Sequence, residues 1–266
     1  MSSLRFTIIQ TNLFWEDVSA NLNMFTQKIE SIKEKTEVVV LPEMFTTGFS
    51  MQPEKFAETM NGVAVKWMQT MANKHKIIIT GSLIIEENNH YYNRLIWMLP
   101  NGSFGYYDKR HLFAFAGENK HYNAGNKRLI AQVNGIKINL QICYDLRFPV
   151  WARQSMNAEK SPEYDVLIYV ANWPEKRSHA WKTLLAARAI ENQCYVIGVN
   201  RVGNDGNNIY HSGDSCIINP MGEVVFTEAH NETIFTTTID TAVIEQIRQQ
   251  LPFLKDADAF SFIQQS

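Results

Sequence analysis

Short apolar stretches recur along this chain, each about as long as a β-strand. "EVVVLP" (37–42), "DVLIYVA" (165–171) and "CYVIGVN" (194–200) show little alternation, as strands covered on both faces do. "LRFTIIQ" (4–10), "KIIITGSLIIEE" (76–87) and "TIFTTTI" (233–239) add further strands. Between them lie segments of helical period. Leu22, Phe25, Ile29 and Ile32 share one face of 15–35, and Val65, Met68 and Met71 or Ala72 share one face of 54–75. Trp181, Leu184, Leu185 and Ile190 form the stripe of a helix over 179–192, which Ser178 is placed to cap. A last helix is expected after Asp240.

Three hairpins interrupt this rhythm. Asn101-Gly102 and Asn134-Gly135 supply the positive φ angles of tight turns, and Pro220-Met221-Gly222 marks the third. Hairpins make the sheets mixed, and strands covered on both faces need helices outside them. The expected fold is therefore α/β, a four-layer α-β-β-α sandwich with two mixed sheets. No linker, repeat or low-complexity tract divides the chain, so residues 1–266 read as one domain. The tail from about 250 carries apolar residues at 251–254 and 260–263, which suit packing on its own or a partner chain.

Composition narrows the function. Twenty-five basic residues face 27 acidic ones, and the longest basic cluster is Lys109-Arg110-His111, so neither nucleic acid nor an anionic membrane is an expected partner. No apolar run approaches the ~20 residues that span a bilayer. "MSSLRFTIIQTN" has too short an apolar run for a signal peptide. Three cysteines suggest no disulfide framework, and the cytoplasm is the expected compartment. Zinc spacings, nucleotide loops and the GxSxG elbow are missing, so no metal and no cofactor is expected.

"INLQICYDLRFPVWAR" begins as a strand, with Ile136, Ile138, Leu140 and Ile142 in alternation, and stops at Cys143. If a short helix follows, backbone N–H groups from Tyr144 onward point at the sulfur, which would lower its pKa and supply oxyanion donors. A small buried thiol is the alternative. Cys194 and Cys216 sit in apolar strands and fit core thiols. Other charged residues also stand where strands run out. Glu43 follows "VVVLP", where desolvation suits a carboxylate to general-base work. Lys109 ends the Asn-Gly hairpin, either snorkelling to water or turned inward to hold an oxyanion. Glu118 lies in the aromatic- and glycine-rich loop that follows, where by itself it is indistinguishable from a surface glutamate.

"LPEMF", "YDKRHLF" and "ICYDLRFP", in this order, resemble the three catalytic blocks of the nitrilase superfamily of carbon–nitrogen hydrolases. "ANWP", "ARAIENQCYVIGVNRVG" and "GDSCIINPMGEVV" are similar to its later blocks, so the likeness runs from about residue 4 to about residue 240. The resemblance implies an α-β-β-α sandwich, a glutamate–lysine–cysteine set at Glu43, Lys109 and Cys143, an auxiliary glutamate at Glu118, and a homodimer. "CYDLRFP" and the tail "LPFLKDADAF" look most like the bacterial ω-amidase branch. That branch implies a small-molecule substrate, the terminal amide of an α-keto dicarboxylic acid such as α-ketoglutaramate or α-ketosuccinamate, hydrolysed through a thioester. A carbamoylase or aliphatic amidase of the same superfamily is the alternative, and a panel of amides separates them.

For the substrate, Arg147 lies four residues past the cysteine, on the same side of a helix, and either grips a carboxylate or pairs with Asp145. Tyr144, Phe113, Phe115, Tyr122 and Trp173 either line a small pocket or fill core. A papain-like pairing of Cys143 with His111, His121 or His179 ranks low, because histidine spacing lends it no support.

Overall fold

The structure is a computed structural model that describes residues 2–156, 161–258 and 260–261. Its strands in chain order are β1 (Ser3–Gln10), β2 (Val38–Val40), β3 (Ile78–Glu87), β4 (His90–Met98), β5 (Phe104–Asp108), β6 (Leu129–Val133), β7 (Ile136–Ile142), β8 (Val166–Val170), β9 (Tyr195–Val199), β10 (Val202–Asn204), β11 (Tyr210–Ile218), β12 (Val224–Ala229) and β13 (Thr233–Asp240). The helices are α1 (Val18–Glu30), α2 (Pro53–Phe56), α3 (Val63–His75), α4 (Glu118–His121), α5 (Pro149–Ala152), α6 (Ser178–Asn192) and α7 (Thr241–Gln250).

One sheet has the order β13-β1-β2-β3-β4-β5, and the other β10-β11-β9-β8-β7-β6, with β12 paired to β11. Both are mixed. β1, β2 and β3 are parallel, as are β7, β8 and β9, while hairpin partners run antiparallel. Phe6, Ile8, Val38 and Val40 of the first sheet meet Ile138, Leu140, Ile168 and Val170 of the second in a core between the sheets. Ile9, Val39 and Ile79 face outward beneath Phe25 of α1 and Met68 of α3. Leu167, Tyr169 and Val196 do the same beneath Trp181 and Leu185 of α6. The four layers expected from the uninterrupted apolar runs are present.

The differences from the sequence expectations each have an identifiable partner or turn behind them. The helix expected over 54–75 is broken, because Ala57 turns extended and Glu58 bonds to β3 instead. The Glu58 N–H donates to Ile84 O (3.1 Å), and Glu58 O accepts from Glu86 N (2.9 Å). The Glu58 carboxylate then caps α3, accepting from the N–H groups of Ala64 and Val65 at 2.9 Å each. Replacing Glu58 with Ala is expected to lower stability by about 1 kcal/mol, or about 2–4 °C in Tm for a chain of this size. A thermal melt with an unchanged midpoint would show that α3 does not depend on this cap.

Ser178 opens α6 without capping it, since its hydroxyl donates to Asp214 Oδ2 (2.8 Å). The inner face of α6 is Trp181, Leu185, Arg188, Ala189 and Asn192; Ile190 falls outside that phase and is 54% exposed. Asn134 and Gly135 both take positive φ, as expected. At the other hairpin only Gly102 does, because Pro100 and Asn101 lie in a wider turn closed between Leu99 and Ser103. In the tail Leu254 is buried against its own chain while Phe253 is exposed. Phe262 and Ile263, also expected to pack, lie outside the described residues. No helix among the described residues is long and apolar enough to cross a membrane.

Candidate active site

Four strands release a polar residue at their carboxyl ends, on the same edge of the sandwich. β2 ends at Val40 and Glu43 follows; β5 ends at Asp108 and Lys109 is next. In the second sheet, β7 ends at Ile142 and Cys143 is next, and β8 ends at Val170, two residues before Asn172. Carboxyl ends of parallel strands are where α/β sheets gather their ligands. Face-to-face packing closes one cluster from both sets.

Lys109 Nζ donates to Glu43 Oε1 (2.8 Å) and to both Glu118 oxygens (3.0 Å each). All three side chains are fully buried. Asn93 Nδ2 bridges the carboxylates, at 2.8 Å from Glu43 Oε1 and 3.3 Å from Glu118 Oε1. Glu43 Oε2 accepts from the Asn172 N–H (2.8 Å), and the Cys143 thiol donates to Asn172 O (4.0 Å). Glu118 further accepts from the Phe113 N–H (2.5 Å), which ties the loop after β5 to the lysine. Glu118 is thus tied to Lys109 by hydrogen bonds, and neither it nor Glu43 lines the cavity.

Cys143 opens a short 3₁₀ helix, Cys143–Arg147, with φ of 42°. A left-handed non-glycine residue costs about 1–2 kcal/mol. Asp145 holds this bend, accepting from Ile142 N (3.0 Å), Tyr107 Oη (2.7 Å), and His111 through both its backbone N–H (3.0 Å) and Nδ1 (2.8 Å). Asp145 is thus committed elsewhere, and Arg147 does not pair with it.

The sulfur lies on a cavity of about 70 Å³. That is several times the ~10–15 Å³ that admits one water, room for a small molecule. Phe113, Tyr144, Arg147 and Trp173, all singled out in the sequence, line it together with Lys109 and Cys143. Phe115 is 89% exposed and Tyr122 is buried with its hydroxyl on Ser50 O (2.6 Å); neither lines the cavity.

Residues 5–249 match the carbon–nitrogen hydrolase family. The chain is a carbon–nitrogen hydrolase. It is 44% identical to omega-amidase YafV of Escherichia coli over 98% of this chain and 99% of that protein. It is 32% identical to the 2-oxoglutaramate amidase of Bacillus subtilis, over 95% and 98%. The crystal structure of XC1258 from Xanthomonas campestris, a protein of this superfamily, superposes with a TM-score of 0.96 at 42% identity, covering 98% of this chain and 100% of that one.

The hydrolase departs from the sequence expectation in the state of its sulfur. Burial first, and Glu43 second, push the Cys143 thiol well above its usual range, and Lys109 only partly opposes them. Cys143 rests as a protonated thiol near a carboxylate, not as the thiolate that a helix N-terminus was expected to hold. Lys109 is the reverse case. Burial disfavours its charge, but Glu118 and Glu43 outweigh that and hold the ammonium above its ordinary range. Burial pushes Glu118 up while Lys109 pulls it down, with a net rise. Cys194 and Cys216 are buried core thiols, and burial pushes Cys216 up to about 12.

Several residues of the hydrolase's cavity, and of the buried cluster behind it, were not singled out in the sequence. Asn93 stands in "YYNRLIW", where a buried amide among apolar residues was the available signal. Asn172 lies in the block "ANWP". Arg177, Asp205 and His211 come from separate loops and strands, and carried none. The papain-like alternative gains no geometry. His111 is bound to Asp145 and stacked on Phe148 with centroids 3.8 Å apart, and His121 and His179 are exposed. The histidine that does line the cavity, His211, is held down to about 4 by burial, and its Nδ1 lies 2.9 Å from Ile209 O. It is neutral and committed to backbone.

Proposed function

We propose that this hydrolase cleaves the terminal amide of small α-keto dicarboxylic acid monoamides, such as α-ketoglutaramate, releasing ammonia through a thioester on Cys143. One observation carries the reading. An ammonium and a thiol, Lys109 and Cys143, backed by the buried Glu43 carboxylate, share their cavity with the guanidinium of Arg147, which has no carboxylate partner among the described residues.

Glu43 takes the thiol proton as the sulfur attacks the amide carbon. Lys109 and the backbone N–H of Tyr144 hold the oxyanion; one such donor is typically worth ~10²–10³ in rate. Glu43 passes its proton to the amide nitrogen, the C–N bond breaks, and ammonia leaves a thioester. Water then enters and gives a proton to Glu43 as its oxygen attacks the thioester. The second tetrahedral adduct expels the sulfur, which recovers the proton, and the carboxylic acid departs. Lys109 keeps its charge throughout, since Glu118 still faces it while Glu43 carries the proton.

Arg147 rests its guanidinium over Trp173, 4.9 Å from the ring centroid. A planar, donor-only group held this way suits a substrate carboxylate in a bidentate pair. The names of the Escherichia coli and Bacillus subtilis relatives agree with that chemistry. Arg147→Lys is expected to raise KM for carboxylate-bearing amides about tenfold or more, with an uncharged amide unaffected. An unchanged KM for α-ketoglutaramate removes Arg147 from the grip.

A further inference from the structure

We propose that Arg177 is a specificity-determining residue, which selects a 2-oxo over a 2-amino group next to the substrate's carboxylate. The inference rests on the substrate class proposed above. Arg177 follows the loop after β8 and lines the same cavity as Arg147. Its guanidinium sits over Phe113, 5.1 Å from the centroid. The cavity thus presents two guanidiniums, each laid on an aromatic ring and neither paired with a carboxylate among the described residues. Burial holds Arg177 below the usual guanidinium range, with Cys143 opposing that shift and Arg147 adding to it. The acid groups nearby are already engaged. Glu43 is bound by Lys109, Asn93 and Asn172, and Asp205 Oδ1 accepts from the N–H groups of Asn207 (2.8 Å) and Ile209 (3.0 Å).

One guanidinium satisfies one carboxylate in a bidentate pair. A second, beside it and partly desolvated, calls for another acceptor on the same small molecule. The oxygen of a 2-oxo acid is such an acceptor, carried on the carbon next to the carboxylate. A 2-ammonium group offers only donors and a positive charge, and a guanidinium has donors alone to meet it. The same residue therefore attracts the keto acid amide and repels the amino acid amide, which separates the two more than attraction alone.

The test compares three amides that differ only at C2: α-ketoglutaramate, glutamine and the monoamide of glutaric acid. Arg177→Gln is expected to raise KM for α-ketoglutaramate about 10- to 100-fold, and to leave the glutaric monoamide within about threefold. The ratio of kcat/KM between keto and amino substrates should fall with it, and Arg177→Lys, which keeps the charge, should recover part of that ratio. A uniform loss on all three amides, or an unchanged keto-to-amino ratio, overturns the inference. If the wild-type enzyme prefers uncharged amides to all three, the substrate class itself fails, and Arg177 loses its role with it. If it prefers the carboxylated amides but its choice at C2 ignores Arg177, this inference alone fails.

Discussion

Cys143→Ala is expected to reduce turnover by about 10⁶, the loss seen when a covalent nucleophile is removed from a hydrolase. The fold should survive, because the replacement is small and the bend at 143 is held by Asp145 through its bonds to Ile142, Tyr107 and His111. In the wild-type protein, a slow amide trapped by acid quench should add its acyl mass to the peptide that carries Cys143 and to no other. Residual activity near the wild-type level, or an adduct on Cys194 or Cys216, would end the thioester proposal. Iodoacetamide gives a further check. A thiol held above its usual range gains anion continuously with pH, so the alkylation rate of Cys143 should climb about tenfold per pH unit between 7 and 9. A rate already level at pH 7 would mean a stable thiolate, contrary to the burial of this sulfur beside Glu43.

Glu43→Gln is expected to lower kcat/KM by about 10²–10⁴, the usual worth of a positioned proton carrier. In the proposed mechanism every proton transfer of both half-reactions runs through that one carboxylate, and no histidine stands in for it: His111 is committed to Asp145 and His211 to backbone. The sign of a second effect separates this account from simple damage. The carboxylate of Glu43 raises the Cys143 pKa, whereas Lys109 lowers it. Removing the negative charge leaves Lys109 less opposed, so the thiol pKa should fall. Alkylation at a fixed pH of 8 should then be as fast as in wild type or faster, while amide hydrolysis collapses. Loss of both together would point to a collapsed cavity.

Much of the architecture was legible along the chain because burial leaves a local imprint. A strand covered on both faces must be apolar at every position, as at Val38–Val40 and Val166–Val170. The errors arose where a distant partner overruled the local pattern. Glu58 broke a helix because β3 offered it hydrogen bonds and α3 offered it an N-terminus to cap. Ser178 gave up a capping role because Asp214, 36 residues away, lay within reach of its hydroxyl.

Which side chains emerge where strands end could be read along the chain, because hydrophobic period and strand termination depend on neighbours in sequence. Glu43, Lys109 and Cys143 were visible in that way, and so was the four-layer order. Folding in three dimensions set the rest: that these ends converge, that Asn93 bridges two carboxylates, and that Arg147 faces a cavity with Arg177 instead of pairing with Asp145. It also decided the protonation of the sulfur. Desolvation and Coulomb interactions sum over everything nearby in space, whatever its distance along the chain, and around Cys143 that sum favours the neutral thiol.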